Sequence, residues 1–205
     1  MISAPHMAGL DLALAVAMGV GLAAAVGFRV FVPMLVVSVG AYTGHLTLAS
    51  GLAWLATPTA LLMLSVAAAL EILAYYIPGV DNALDVIAAP AALVAGTVVS
   101  AAVMTDVPPM VRWTAALIAG GGAAGAIHGL TSLLRVKSTT MTAGFGNHAI
   151  ATGEVAGALI VSLLALAAPL AAVTIAVLFC WFAVRLLSRL RRRGAPPATS
   201  SADSS

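Results

Sequence analysis

Residues 10–43 form an apolar run that no single upright helix can carry across a membrane. Past Asp11 it is interrupted only by Arg29 and Pro33. As one helix it would be about 50 Å long, against a hydrocarbon core of about 30 Å. It must therefore tilt steeply, break near Gly27 to Pro33, or fold into a hairpin. Lipid is the only solvent that suits such a chain. Of its 205 residues 62% are hydrophobic and 8% charged, with a mean hydropathy of +1.11, whereas a soluble domain carries about 25% charged residues. The expected fold is all-α: a polytopic transmembrane helix bundle of about six spans.

The basic residues do not form a nucleic-acid surface. Five of the nine Lys and Arg lie between Arg185 and Arg193, which reads as a cytoplasmic anchor under the positive-inside rule and not as a basic face with polar or aromatic partners. The single cysteine, Cys180, excludes an internal disulfide or a multi-cysteine metal site. No Lys or Arg precedes the first apolar run, so Ala23 to Ala25 do not read as the end of a signal peptide. The run is expected to be a retained span.

Punctuation divides the remainder. Residues 44–57, with Trp54, suit an interfacial segment. Pro58 opens a span to Ile77, and Pro78 to Asn82 read as a turn, with Asp81 a turn residue. The next span runs from about Ala83 to Met104, bent at Pro90, and Thr105 to Met110 form a loop. A stretch from Arg112 to Arg135 follows, then an expected polar loop from Val136 to Asn147. The apolar stretch 148–190 is too long for one span and divides at Pro169. From Gly194 the tail lacks periodicity and is expected to be disordered. This gives an N-terminal segment 1–9, one transmembrane domain 10–190, and a basic, then disordered, cytoplasmic tail 191–205. With the tail in the cytoplasm, Arg135 and Lys137 also fall inside and the 44–57 segment falls outside. Splitting residues 10–43 near Arg29 would add a seventh crossing and move only the N-terminus.

The Arg112–Arg135 stretch carries glycines every fourth residue, at Gly121, Gly125 and Gly129. That spacing offers one helix face to close backbone packing, and His128, Thr131, Ser132 and Arg135 continue roughly the same stripe. Shifting the chain by 102 residues lays Gly19, Ala23 and Gly27 on those glycines. The expectation is a duplicated unit of three spans, in halves of about 10–104 and 111–190. An odd number of spans makes it an inverted 3+3 repeat with Gly-rich, broken first helices.

Ionisable residues inside spans are costly and mark candidate sites. At helical rise, Glu71, His128 and Glu154 each fall about 9–10 Å from the cytoplasmic end of their spans. Small residues flank each, and Asp85 begins a stripe with Ala88, Ala92 and Gly96. Arg29 lies at the break, and Asn147 two turns before Glu154. The candidates for a substrate or ion pathway are Arg29, Glu71, Asp85, His128, Asn147 and Glu154. A structural reading stands beside this one: Glu71 or Glu154 pairs with Arg29 to fix helix register, and His128 is an interior hydrogen-bonder. Tyr75 is close enough for its hydroxyl to reach Glu71. A metal site of His128, Glu71 and Glu154 is chemically possible but its motif is nonspecific, no cofactor is implied, and no H-E-x-x-H, G-x-S-x-G or phosphate-binding loop is present. An enzyme is not expected.

Three segments carry a family resemblance: GLAAAVGFRVFVPMLV from Gly21, EILAYYIPGVDNALD from Glu71, and GNHAIATGE from Gly146. Together they resemble the landmarks of the bacterial membrane family called domain of unknown function 4126, over roughly residues 10–185. By matching position the resemblance marks Arg29, Glu71, Pro78, Asp81, Asp85, Asn147 and Glu154 as polar landmarks. The sequence departs from it with Tyr75, where an acidic residue is expected, and His148, where Pro is expected. The resemblance implies a multi-pass protein of the bacterial inner membrane and supplies no activity. The residues themselves favour a small transporter or channel-like protein for a small solute or ion, with its polar site near the cytoplasmic side. The alternative is a membrane scaffold or assembly partner that docks through its glycine faces, which leaves a homo-oligomer open.

Overall fold

Pro33 decides how the first apolar run ends. In a continuous helix its ring would clash with the carbonyl four residues back, at Arg29. The computed structural model, which describes the backbone of residues 5–77, 80–142 and 146–193, breaks there. Helix α1 spans Pro5–Phe28 and α2 spans Phe31–Tyr42. Then come a short 3-10 turn at Ala53–Ala56, α3 (Pro58–Ala74), α4 (Val80–Val103), α5 (Pro109–Ala115), a π-helical turn at Ala116–Gly121, α6 (Gly122–Thr142), α7 (Asn147–Ala167) and α8 (Pro169–Arg193). Five rods are long and apolar enough to cross a membrane: α1, α4, the continuous α5–α6 rod, α7 and α8. The chain is a multi-pass, all-α membrane bundle. A shorter apolar helix, α3, has 17 residues and is about 25 Å long.

Helix α2 turns the chain back alongside α3. It starts where α1 ends, beside the C-terminal turn of α3. The segment after it reaches the far end of α4, where Ala49 N donates to Ala102 O at 2.8 Å. Twelve residues climb only about 18 Å, so residues 43–57 complete the pass. That segment, expected from its composition to be interfacial, is packed partly inward. Leu52 and Leu55 are buried, and Ser38 Oγ donates to Leu55 O at 2.7 Å. Only its outer side, with Trp54, faces out. Gly44 and Gly51 turn the chain with φ of 77° and 89°, a region that favours glycine.

Local chemistry sets the other boundaries. Thr57 caps α3, accepting from Ala60 N at 3.2 Å, with Pro58 in the first turn, where its missing N–H costs nothing. Helix α4 begins at Val80 and runs through Pro90, so Asp81 lies in a helical first turn instead of the expected loop. Helix α6 runs to Thr142, correcting the expected loop from Val136. Its threonines bond back along the helix, Thr139 Oγ1 to Arg135 O and Thr142 Oγ1 to Ser138 O at 3.0 and 2.8 Å, which satisfies their hydroxyls without leaving the helix. The split at Pro169 is as expected. The expected disordered tail from Gly194 lies outside the described residues.

Helix α1 is the axis. Leu22 to Val26 are buried on every side, against α4, α6, α7 and α8. Contacts along α1 and α4 pair Gly19 with Ser100 and Ala23 with Gly96; along α4 and the α5–α6 rod they pair Ser100 with Gly120 and Gly96 with Ala124. Both neighbours thus run antiparallel to α4, so α1 and the α5–α6 rod run parallel to each other. Inverted halves would set them antiparallel, and at this glycine register the expected 3+3 inversion does not hold. Gly21 meets Ala172 and Phe28 stacks on Phe179, so α8 also runs parallel to α1. The start of α1 and the end of α8 therefore lie at opposite ends of the bundle.

The glycine face is displaced as well. The buried stripe of the α5–α6 rod runs Arg112, Ala116, Gly120, Ala124, Ile127/His128, Thr131, Arg135. Steps of four overshoot an α-helical turn by about 40° each, and the wider π turn absorbs that drift at the point of closest packing. Gly121 and Gly125 pack on Thr97 and Leu93 of α4, but a side chain at Gly129 would meet nothing within 4 Å. Gly129 is not a packing glycine.

Candidate functional site

The break after α1 leaves the first amides of α2 without helical acceptors. Glu71, in the last turn of α3, fills that need: its two carboxylate oxygens accept from Val30 N at 2.7 Å and Phe31 N at 3.0 Å. A carboxylate at a helix N-terminus also opposes the positive end of the helix dipole. Glu71 therefore fastens α2 to α3 instead of forming an ion pair with Arg29.

Arg29, at the break itself, points inward. Its side chain is 1% exposed, and Nη2 lies 3.1 Å from Glu154 Oε2 of α7, while also donating to Ala151 O at 3.3 Å. Glu154 is shared. Arg135 Nη2, from α6, donates to both of its oxygens, and Arg135 Nη1 donates to Asp85 Oδ1 of α4. Two guanidiniums and two carboxylates from four parts of the chain thus form one buried quartet with no net charge. Its side chains are between 1% and 12% exposed. Such charges persist in an apolar setting only when paired.

Tyr75, just beyond α3, sits among them. Its ring lies 3.7 Å from the Arg29 guanidinium and 4.5 Å from that of Arg135, a cation–π arrangement strengthened by desolvation. Its hydroxyl donates to Asp85 Oδ1 at 3.1 Å, not to Glu71 as its spacing suggested. His128 Nε2 lies 3.2 Å from Asp85 O, with Ser132 Oγ at 3.5 Å. Given the carbonyl partner, that nitrogen is the donor. Asn147 stands one step further out, its Nδ2 donating to Thr139 Oγ1 at 2.9 Å.

The structure brings Arg29, Asp85, His128 and Glu154 together directly. It places Glu71 one bond away through the α2 amides, and Asn147 at the margin. Sequence reasoning placed Arg135 on the His128 stripe but left it out of the site candidates, and misjudged Tyr75. The signal for Arg135 was present: positions 128, 131 and 135 repeat at helical spacing. Within the cluster three buried guanidinium nitrogens, Arg29 Nε, Arg29 Nη1 and Arg135 Nε, have no hydrogen-bond acceptor, as does Arg112 Nε outside it; unmet buried donors are costly. What the arrangement can do is exchange counter-ions: two fixed positive groups share one carboxylate between them.

No curated protein and no solved structure matches the chain. A family model does, over residues 16–189, and that span contains every member of the cluster; the chain belongs to the family described as domain of unknown function DUF4126.

Proposed function

We propose that this protein is a small carrier or channel-like protein for a small solute or ion, with the charged quartet as its polar site. The observation that carries the reading is the quartet's position at a helix break inside the bundle. A half-length helix, α2, starts at the site and is fastened to α3 by Glu71. Broken helices with termini at buried polar groups are a recurrent way to build intramembrane binding sites. Arg135, Lys137 and the Arg-rich end of α8 share one end of the bundle, which under the positive-inside rule faces the cytoplasm. On this reading the site lies nearer the cytoplasmic side of an inner membrane, and the start of α1 faces out.

The scaffold reading loses its surface. Gly19, Gly27, Gly121 and Gly125 all pack within the chain, so these faces are not free to dock a partner.

Water access tests the proposal without a known substrate. In a Cys180→Ala background, Thr131→Cys places a thiol one turn from His128, at a position 3% exposed. A membrane-impermeant thiol reagent should modify it from the cytoplasmic side of sealed vesicles. A thiol inert from both sides, in protein that inserts normally, would mean that the cluster is a structural clasp.

A further inference from the structure

We infer that Glu154 is an internal stand-in for the transported species, which is a small monovalent planar oxyanion of carboxylate or nitrate type, carried with a proton. The inference rests on the carrier reading above. Its grounds are geometric. Glu154 lies between the Arg29 and Arg135 guanidiniums and pairs with both. Planar guanidinium forks match planar oxyanions in two-point contact. Three further guanidinium N–H positions, Arg29 Nε and Nη1 and Arg135 Nε, lie buried without acceptors among the described residues. The pair of arginines therefore has more donors than its resident carboxylate uses.

Charge balance fixes the coupling. With Glu154 ionised the quartet is neutral, and a second anion would be repelled by Glu154 and Asp85. When Glu154 takes a proton from water on the open side, it becomes a neutral acid and the quartet carries one positive charge. One monovalent anion then restores neutrality by taking the place of the carboxylate between the arginines. Release reverses both events: the anion leaves, the proton returns to water, and Glu154 pairs again. One proton and one anion move together, so no net charge crosses. The groups facing Glu154 are Arg29 from the break after α1, Arg135 from α6, and behind Arg135 the Asp85 carboxylate of α4 and the Tyr75 hydroxyl that follows α3. Among the described residues no ion pair to Glu154 comes from α2 or α8.

The test uses full-length protein in detergent with formate, nitrate or gluconate at matched ionic strength. Glu154→Gln leaves both arginines without their shared anion. Formate and nitrate should raise its unfolding midpoint by several degrees relative to bulky gluconate, and adding Arg29→Met should abolish that shift. In vesicles, formate uptake by wild-type protein should follow an imposed pH gradient, and uptake by Glu154→Gln should not. A folded Glu154→Gln protein indifferent to all three anions overturns the inference. Where that variant does not fold, wild-type protein decides: stabilisation by formate that grows as pH falls supports the inference, and its absence at every pH overturns it. Thiol labelling at Thr131→Cys separates the two ideas. Labelling together with anion indifference defeats only the anion assignment, whereas no labelling defeats the carrier itself.

Discussion

Helix α1 meets its neighbours in two contrasting ways within a few turns. Around Gly19, α1, α4 and the π turn touch through glycine, serine and alanine, with backbones so close that a Cβ on Gly19 would lie 2.6 Å from Ser100 Oγ. Ten residues on, about 15 Å along the helix, Arg29 is held by a carboxylate, a carbonyl and an aromatic face. The first region gains dispersion contacts and holds a buried hydroxyl, Ser100 Oγ, that has no hydrogen-bond partner. The second trades close packing for long side chains whose charges must remain matched. The proposed carrier activity would use both: one region that holds helix spacing constant, and one whose partners are charged side chains.

Removing the shared carboxylate should have the largest effect. Glu154→Ala strands the buried Arg29 guanidinium and leaves Arg135 with Asp85 alone, and breaking a buried pair costs about 3–5 kcal/mol. Chemical unfolding in detergent should show a loss of that order. If the loss is instead below about 1 kcal/mol, the level of an exposed surface pair, the quartet is wetter than its burial indicates and the contrast between the two regions fails.

Next comes the packed region. A Cβ on Gly27 would lie 2.6 Å from the carbonyl oxygen of Ala124, and a backbone atom cannot swing aside. Gly27→Leu should cost at least the roughly 1–3 kcal/mol typical of overpacking, and by separating α1 from α6 it should also weaken the quartet. Measuring Gly27→Leu, Glu154→Ala and the double variant reads that coupling. Additive losses would show that the two regions are independent.

Much of this contrast was legible in the chain. Apolar run lengths and the prolines at 33, 58 and 169 placed the helix ends, and uniform helical rise put Glu71, His128 and Glu154 at one depth. Three features were hidden for physical reasons. The direction of α2 was open because the 10–43 run suits a tilt, a break or a hairpin equally. The repeat in Ala and Gly spacing carries no sign of helix direction, so parallel helices passed for inverted ones. Arg135 was left out of the site because it stands at the edge of a Thr-rich segment that looks like a loop until its hydroxyls are seen bonding back to the helix.

Glu71→Gln tests the join between α2 and α3. Glutamine keeps one oxygen acceptor but loses the charge and the second acceptor, so the change should cost about 1–2 kcal/mol, within the range of losing a helix cap. Because Glu71 touches backbone and not the arginines, the loss should not be restored by formate. Restoration of Glu71→Gln by formate would place Glu71 within the anion-exchanging set and redraw the boundary of the site.

The smallest effects separate true packing glycines from apparent ones. On α6, Gly125 and Gly129 look equivalent in sequence, four residues apart. A Cβ at Gly125 would meet Leu93 Cδ2 at 2.6 Å, the far end of a flexible side chain, whereas one at Gly129 would meet nothing within 4 Å. Gly129→Ala should therefore be neutral or stabilising by up to about 1 kcal/mol, the helix-propensity difference. Gly125→Ala should offset part of the same gain by displacing Leu93. The sign of that difference follows from the π turn, which rotates the buried stripe onto Gly120, Ala124 and His128. If Gly129→Ala were the more harmful of the two, the stripe would have to run as the bare glycine spacing suggests, and His128 would turn away from Asp85.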